Sequence, residues 1–176
     1  MLCGLCWLIP YGDVLFIAIN AQRLCHEETG TKIYKVVETD GFLGGVGMVG
    51  WSLYGFNYVE YETAGFSRLT MVAGKEFRER IAAPTSRYEL ALESEVAAYG
   101  VERLTELVRD RTSGEILGEQ SSFKIRPGWA DDIFLRETGL KFIPPICLAP
   151  DHKPSRGGAA NSNDFVKAIL KPIHVK

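Results

Sequence analysis

Apolar and polar positions along this chain follow two periods, and the clearest of the segments they define runs from Glu102 to Ile125, with Thr112-Ser113-Gly114 in its middle. Two runs able to extend, Glu102 to Arg111 and Glu115 to Ile125, flank a short polar stretch whose third residue is Gly. That spelling suits a three-residue hairpin loop, in which a type I turn is followed by a residue at positive φ, where Gly meets no Cβ penalty. The first arm also carries a helical stripe in Val101, Leu104, Leu107 and Val108, while Leu104, Glu106 and Val108 share one face of a strand. Gly100 before it, the turn after it, and a second arm whose Ile116, Leu117, Phe123 and Ile125 are separated by polar residues all favour the strand. A hairpin by itself is marginal in water, so other elements must cover one of its faces.

A 3.6-residue period appears near the amino end. Val14, Ile17, Ala18, Ala21, Leu24 and Cys25 recur at helical spacing, with Asp13 as N-cap and Gly30 just past the end. Val14 to Ile19 is apolar on every side, which places it either in deep packing or near a bilayer, whereas Gln22 to Glu28 is polar. Met1 to Pro10 is almost wholly apolar and has neither the charged start of a signal peptide nor the roughly 20 residues of a membrane span. It reads either as the tail of an export or anchor segment or as a buried or disordered end. The chain accordingly divides into an apolar segment, 1–12, and a single domain, 13–176.

Several strands follow. Lys32 to Glu38 alternates imperfectly around Ile33, Val36 and Val37. Trp51 to Glu62 is aromatic and apolar on both sides, as in a central strand, and Thr63-Ala64-Gly65 then spells a second hairpin with Phe66 to Ala73 returning beside the first. Lys75 to Ala82 reads as a short helix before Pro84. Arg87 to Glu93 sets Tyr88, Leu90 and Leu92 against Arg87, Glu89 and Glu93, so one face of the sheet is wet there. Trp129 to Thr138 reads as a helical turn or two, Phe142 to Pro150 as extended chain, and Asp151 to Asn163 as a mobile loop of small and polar residues. A last helix, Asp164 to Leu170, is capped by Ser162 or Asn163 and stopped by Pro172. The elements add up to an α+β fold: an antiparallel sheet of about five or six strands, with the first and last helices on one face.

Composition narrows the partners. The 176 residues, 46% hydrophobic and 24% charged, describe an ordinary globular domain with enough apolar mass for a core. A formal charge of −2, from 20 basic and 22 acidic side chains, leaves no basic footprint for a phosphate backbone, and nucleic acid is excluded as the expected partner.

Candidate chemistry is sparse. Gly45, Gly47 and Gly50 match G-x-G-x-x-G, but a strand rather than a helix follows, so a phosphate would find no helix amino terminus. Cys3 and Cys6 have C-x-x-C spacing, with Cys25 and His26 as further ligands, yet no strand precedes the pair and its neighbours are apolar, so neither metal nor cofactor is expected. His26, His152 and His174 fall at a helix end, in a loop and at the tail, outside any acid-base or metal-ligand spacing. Asp131, Asp132, Asp151 and His152 are the remaining group able to line a cleft as acid and base; charged loops more often only face water.

A wider pattern is carried by Pro10-Tyr11-Gly12-Asp13, the helix end from Leu24-Cys25 to Gly30, Lys32-Ile33-Tyr34-Lys35-Val36-Val37-Glu38 and Asp40-Gly41-Phe42. It continues in Ser86-Arg87-Tyr88-Glu89, Val108-Arg109-Asp110, Thr112-Ser113-Gly114-Glu115-Ile116-Leu117, Cys147, Phe165-Val166-Lys167 and Leu170-Lys171-Pro172. In these residues the chain resembles an uncharacterised family of bacterial hypothetical proteins, many of them exported or membrane-anchored. The resemblance implies an envelope protein and brings no catalytic residues with it.

Four cysteines allow three pairings. With Cys3 and Cys6 in the apolar segment, Cys25 and Cys147 are left inside the domain as a candidate disulfide for an oxidising compartment such as the periplasm; two separately buried thiols in a cytoplasmic protein are the alternative. Two functions fit: a non-enzymatic envelope protein binding a protein partner or the membrane surface, or a small enzyme or ligand-binding protein with a pocket between the aromatic strands and the 151–163 loop.

Overall fold

The structure, a computed structural model, describes the backbone of residues 2–44, 55–72, 74–126, 146–147 and 162–173. Its central hairpin is the one spelled by Thr112-Ser113-Gly114: β8 (Val101–Asp110) and β9 (Ile116–Ile125) are joined by a loop in which Gly114 takes φ 75°. The Gly114 amide donates to the Asp110 carbonyl at 2.7 Å, and the Asp110 amide to the Glu115 carbonyl at 2.9 Å. The ambiguous first arm is therefore a strand. The second hairpin is also as spelled, with β4 (Tyr58–Glu62) and β5 (Phe66–Val72) antiparallel in a register that sets Glu62 against Phe66.

With β1 (Gly30–Ile33), β3 (Gly41–Gly44), β6 (Lys75–Ile81) and β7 (Tyr88–Ala98), these strands form one sheet in the order β1-β9-β8-β7-β3-β4-β5-β6. A short β10 (Ile146–Cys147) pairs antiparallel with β9. β2 (Val37–Thr39) and β11 (Leu170–Pro172) make a separate parallel pair. The class is α+β, but the sheet is larger than about five or six strands and is mixed, because β3 runs parallel to both β4 and β7. The two hairpins are not neighbours either: β7 and β3 lie between them.

Internal packing divides the chain into two compact units, each taking part of β7, β8 and β9. The larger part of the sheet belongs to the unit built from Thr31–Glu93, Glu106–Gln120 and Asn161–Lys176. Its core joins Phe42, Phe56, Val59, Tyr88, Val108 and Leu117 to Phe165, Val166 and Ile169 of α2 (Ser162–Ile169) and to Leu170. Phe42 and Phe56 meet edge to face at 5.1 Å, an arrangement aromatic quadrupoles favour. Burying such side chains contributes about 1.5–3 kcal/mol each. Close approach needs glycine twice here: a Cβ at Gly41 would stand 2.3 Å from the Tyr58 carbonyl oxygen, and one at Gly118 2.4 Å from Ile169 Cδ1.

The other unit comprises Met1–Gly30, Ser94–Thr105 and Ser121–Ala160. Here α1 (Leu2–Glu28) lays Val14, Ile17, Ala21 and Leu24, the face its spacing predicts, against Val101, Phe123 and Ile125. The turn at Gly100, φ 73°, brings the backbone so near Ile17 that any side chain there would collide with it.

Several expectations are corrected. α1 begins at Leu2, so Asp13 is an interior residue rather than its N-cap, and the boundary at residue 12 falls inside a helix. Pro10 removes one hydrogen bond from the ladder, which a 27-residue helix survives. Lys32 to Glu38 is two strands rather than one, because Tyr34 and Lys35 both turn their amides to the Leu117 carbonyl. Lys75 to Ile81 is an edge strand and not a helix: Gly74 at φ 76° closes a hairpin that pairs Val72 with Lys75, and register with β5 overrides the helix preference of its Lys, Glu and Arg. Leu92, two positions beyond Leu90 on β7, is exposed while Tyr88 is buried, so the apolar face of that strand is covered only over part of its length, and β4 is not apolar on both sides, since Glu60 is wholly buried in it. The last helix ends at Ile169, and Leu170 already belongs to β11. The glycine cluster from Gly45 to Gly50, Trp51 to Tyr54, Trp129 to Thr138, most of Phe142 to Pro150 and most of Asp151 to Asn163 lie outside the described residues.

Candidate functional site

Charged side chains in the sheet-rich unit converge on two buried carboxylates. Glu60, at the centre of β4, has no exposed surface. Its Oε1 accepts from Arg68 Nη2 at 2.6 Å, Arg68 Nε at 3.2 Å and Thr85 Oγ1 at 2.9 Å. Its Oε2 accepts from the Thr85 amide at 2.9 Å, the Ser86 amide at 2.8 Å and Ser86 Oγ at 2.7 Å. Burial alone pushes this carboxyl up, but the donors from Arg68, Ser86 and Thr85 outweigh it and hold the group at about 2. Glu60 thus stays ionised down to about pH 2 and fastens the Thr85–Ser86 segment to the sheet. Arg68 is further seated over the Tyr58 ring, 4.8 Å from its centroid.

Asp110 plays the same part at the hairpin. Its Oδ2 accepts from Arg87 Nε at 2.8 Å and Nη2 at 2.7 Å, and its Oδ1 from the Thr112 amide at 2.8 Å. The Arg87 guanidinium holds the acid below the ordinary aspartate range against its desolvation. Arg111 completes the frame by donating to the Ser86 carbonyl at 2.7 Å, while Arg109 pairs with Glu89. Neither Glu60 nor Asp110 stood out in the sequence as a site residue. Asp110 had a local signal, an acid two residues before Thr112 at the mouth of a turn, but Glu60 sits in an aromatic strand with nothing to mark it.

Both carboxylates fasten loop segments to the sheet. A general acid or base needs a pKa moved toward neutrality, and the shifts among the described carboxylates, at Glu60, Glu102 and Asp110, run downward. Among the described residues no group of His, Cys, Asp and Glu is arranged to hold a metal ion. The acid-base candidates Asp131, Asp132, Asp151 and His152 lie outside the described residues, as does His174, and His26 is exposed in the last turn of α1.

The helical unit offers a different kind of surface. Leu15, Phe16 and Ile19 turn away from the core of α1 and are 60%, 55% and 58% exposed. Phe16 meets the Tyr99 ring at 6.4 Å, and Val96 of β7 is also open to solvent. Little more than one helical turn thus presents three large apolar side chains on the face opposite the packed one, a patch of the kind that marks contact with a protein or a membrane.

Cys25, at the polar end of α1, is disulfide-bonded. Cys147 lies on β10, its backbone opposite Phe123 of β9, and Phe123 belongs to the core cluster against which Cys25 packs. Comparison of the chain with protein-family models, with curated proteins and with solved structures gives no match.

Proposed function

We propose that this chain is a non-enzymatic envelope protein that works by binding through the helical unit, displayed in an oxidising compartment, in keeping with its resemblance to exported and membrane-anchored bacterial proteins. The observation that carries the reading is the disulfide at Cys25. Protein disulfides persist in the periplasm and outside the cell and are rare where glutathione and thioredoxin keep thiols reduced.

Helix geometry supports Cys147 as the partner. Cys6 and Cys3 share α1 with Cys25, and at 1.5 Å per residue they stand about 28 and 33 Å along the axis, against the roughly 7 Å that bridged Cα atoms allow. That leaves Cys147, whose backbone is held beside the Phe123 core. Ionised clamps at Glu60 and Asp110 support display rather than catalysis, and a formal charge of −2 supports a partner other than nucleic acid.

The test is alkylation of intact cells followed by non-reducing mass spectrometry of the envelope and soluble fractions. A Cys25–Cys147 linked peptide in the envelope fraction is the expected result. Recovery of both as alkylated thiols in the cytosol overturns the compartment and the function with it.

A further inference from the structure

We infer that the exposed face of α1 is a lipid-contact surface: Leu15, Phe16 and Ile19 sit at the boundary between headgroups and acyl chains, with the uncharged turns before them on the acyl-chain side. This names the occupant of the binding surface and rests on the envelope reading above.

Three observations choose a bilayer over a protein partner. First, α1 is not amphipathic taken as a whole; its polarity changes along the axis rather than around it. A partner groove needs an apolar stripe running the length of the helix, whereas a membrane needs a step along it. Second, the step is there. The eleven residues Leu2 to Gly12 carry no charge, Asp13 is the first, and beyond the exposed Leu15, Phe16 and Ile19 come Asn20, Gln22, Arg23, His26, Glu27 and Glu28. Among the described residues no helix is long and apolar enough to cross a membrane. Third, the ring against Phe16 is Tyr99, 63% exposed, an aromatic with an apolar body and a polar tip of the kind enriched at the membrane interface.

The binding should be driven by apolar area and should not depend on lipid charge. The experiment is flotation of the purified full chain, disulfide intact, with vesicles of zwitterionic phosphatidylcholine at low and high salt. The expected result is co-flotation unaffected by salt, a loss of at least tenfold in partition for Phe16→Glu/Ile19→Glu, and none for Arg23→Gln on the same helix. Circular dichroism and the intact disulfide check that each variant is folded; should the double variant fail to fold, Leu15→Asn replaces it, with a several-fold loss expected. Absence of flotation, equal flotation of the substituted chains, or binding to anionic vesicles alone overturns the inference. So does a dimer in solution that the Phe16 and Ile19 substitutions dissociate, which makes a second copy the occupant. Failure here with Cys25 still oxidised in the envelope fraction removes the lipid and leaves the envelope reading standing.

Discussion

Glu60 and Arg68 face each other in register across β4 and β5, the guanidinium Nη2 2.6 Å from a carboxylate that has no exposed surface. A buried charge keeps its place only while its partners remain, and removing one member of such a pair costs about 3–5 kcal/mol because the other stays buried and unpaired. Glu60→Gln is therefore expected to lower stability by about that amount, read as a fall in the urea midpoint at unchanged m value. An unaltered midpoint would show that the clamp contributes no net stability.

The same pair sets an acid limit. Glu60 titrates near 2 in the folded chain against 4.5 as its ordinary value, so the unfolded chain takes up the proton first. Its contribution is complete above about 4.5 and is lost as pH falls toward about 2, a total of roughly 3 kcal/mol. Subtracting the stability-against-pH curve of Glu60→Gln from that of the native chain is expected to leave a slope confined to this window. A difference curve flat between those limits contradicts the assignment.

Two glycines separate steric from conformational need. At Gly114, φ 75°, a Cβ would meet nothing within 4 Å, so alanine there carries only the left-handed backbone penalty of about 1 kcal/mol. At Gly41 it would stand 2.3 Å from the Tyr58 carbonyl oxygen, a backbone atom fixed by parallel pairing of β3 with β4. Gly41→Ala is expected to cost about 1–3 kcal/mol or more, beyond the loss at Gly114→Ala. Thermal unfolding of the two variants side by side gives the order, and equal losses would contradict it.

Asp110 holds the hairpin loop through the Thr112 amide at 2.8 Å and the Arg87 fork. Asp110→Ala is expected to speed hydrogen exchange at the Thr112 amide and to loosen β8 from β7 near Arg87. Exchange rates unchanged there would mean that backbone pairing alone keeps the turn closed.

Local spelling made both hairpins legible, because Gly114 and Gly65 mark turns whose arms are neighbours in sequence. The packed face of α1 was legible for the same reason, Val14, Ile17, Ala21 and Leu24 repeating at 3.6 residues. What stayed hidden is non-local. Parallel pairing of β3 with β4 and β7 has no turn to announce it, and Lys75 to Ile81 reads as helix until β5 pairs with it. The exposure of Leu15, Phe16 and Ile19 was half visible: an all-apolar stretch fits burial and lipid alike, and only the fold shows which side is open. Glu60 could not be found at all, since its donors come from Arg68, Thr85 and Ser86, as far as 26 residues along the chain.

The disulfide supplies the last expectation. A Cys25–Cys147 bond closes a loop of about 120 residues and, on the chain-entropy account, stabilises the fold by roughly 4 to 5 kcal/mol. Cys25→Ser, Cys147→Ser and the double substitution are each expected to lose that same amount, because either single change already removes the whole bond. Cys3→Ser and Cys6→Ser should leave stability unchanged, since neither can reach Cys25 along α1. Dithiothreitol should bring the native chain down to the level of the Cys25 variant and have no effect on that variant. Urea unfolding of the set decides the pairing: a loss at Cys6→Ser equal to that at Cys25→Ser would break the assignment to Cys147, and additive losses at Cys25 and Cys147 would mean that the two contribute as separate thiols.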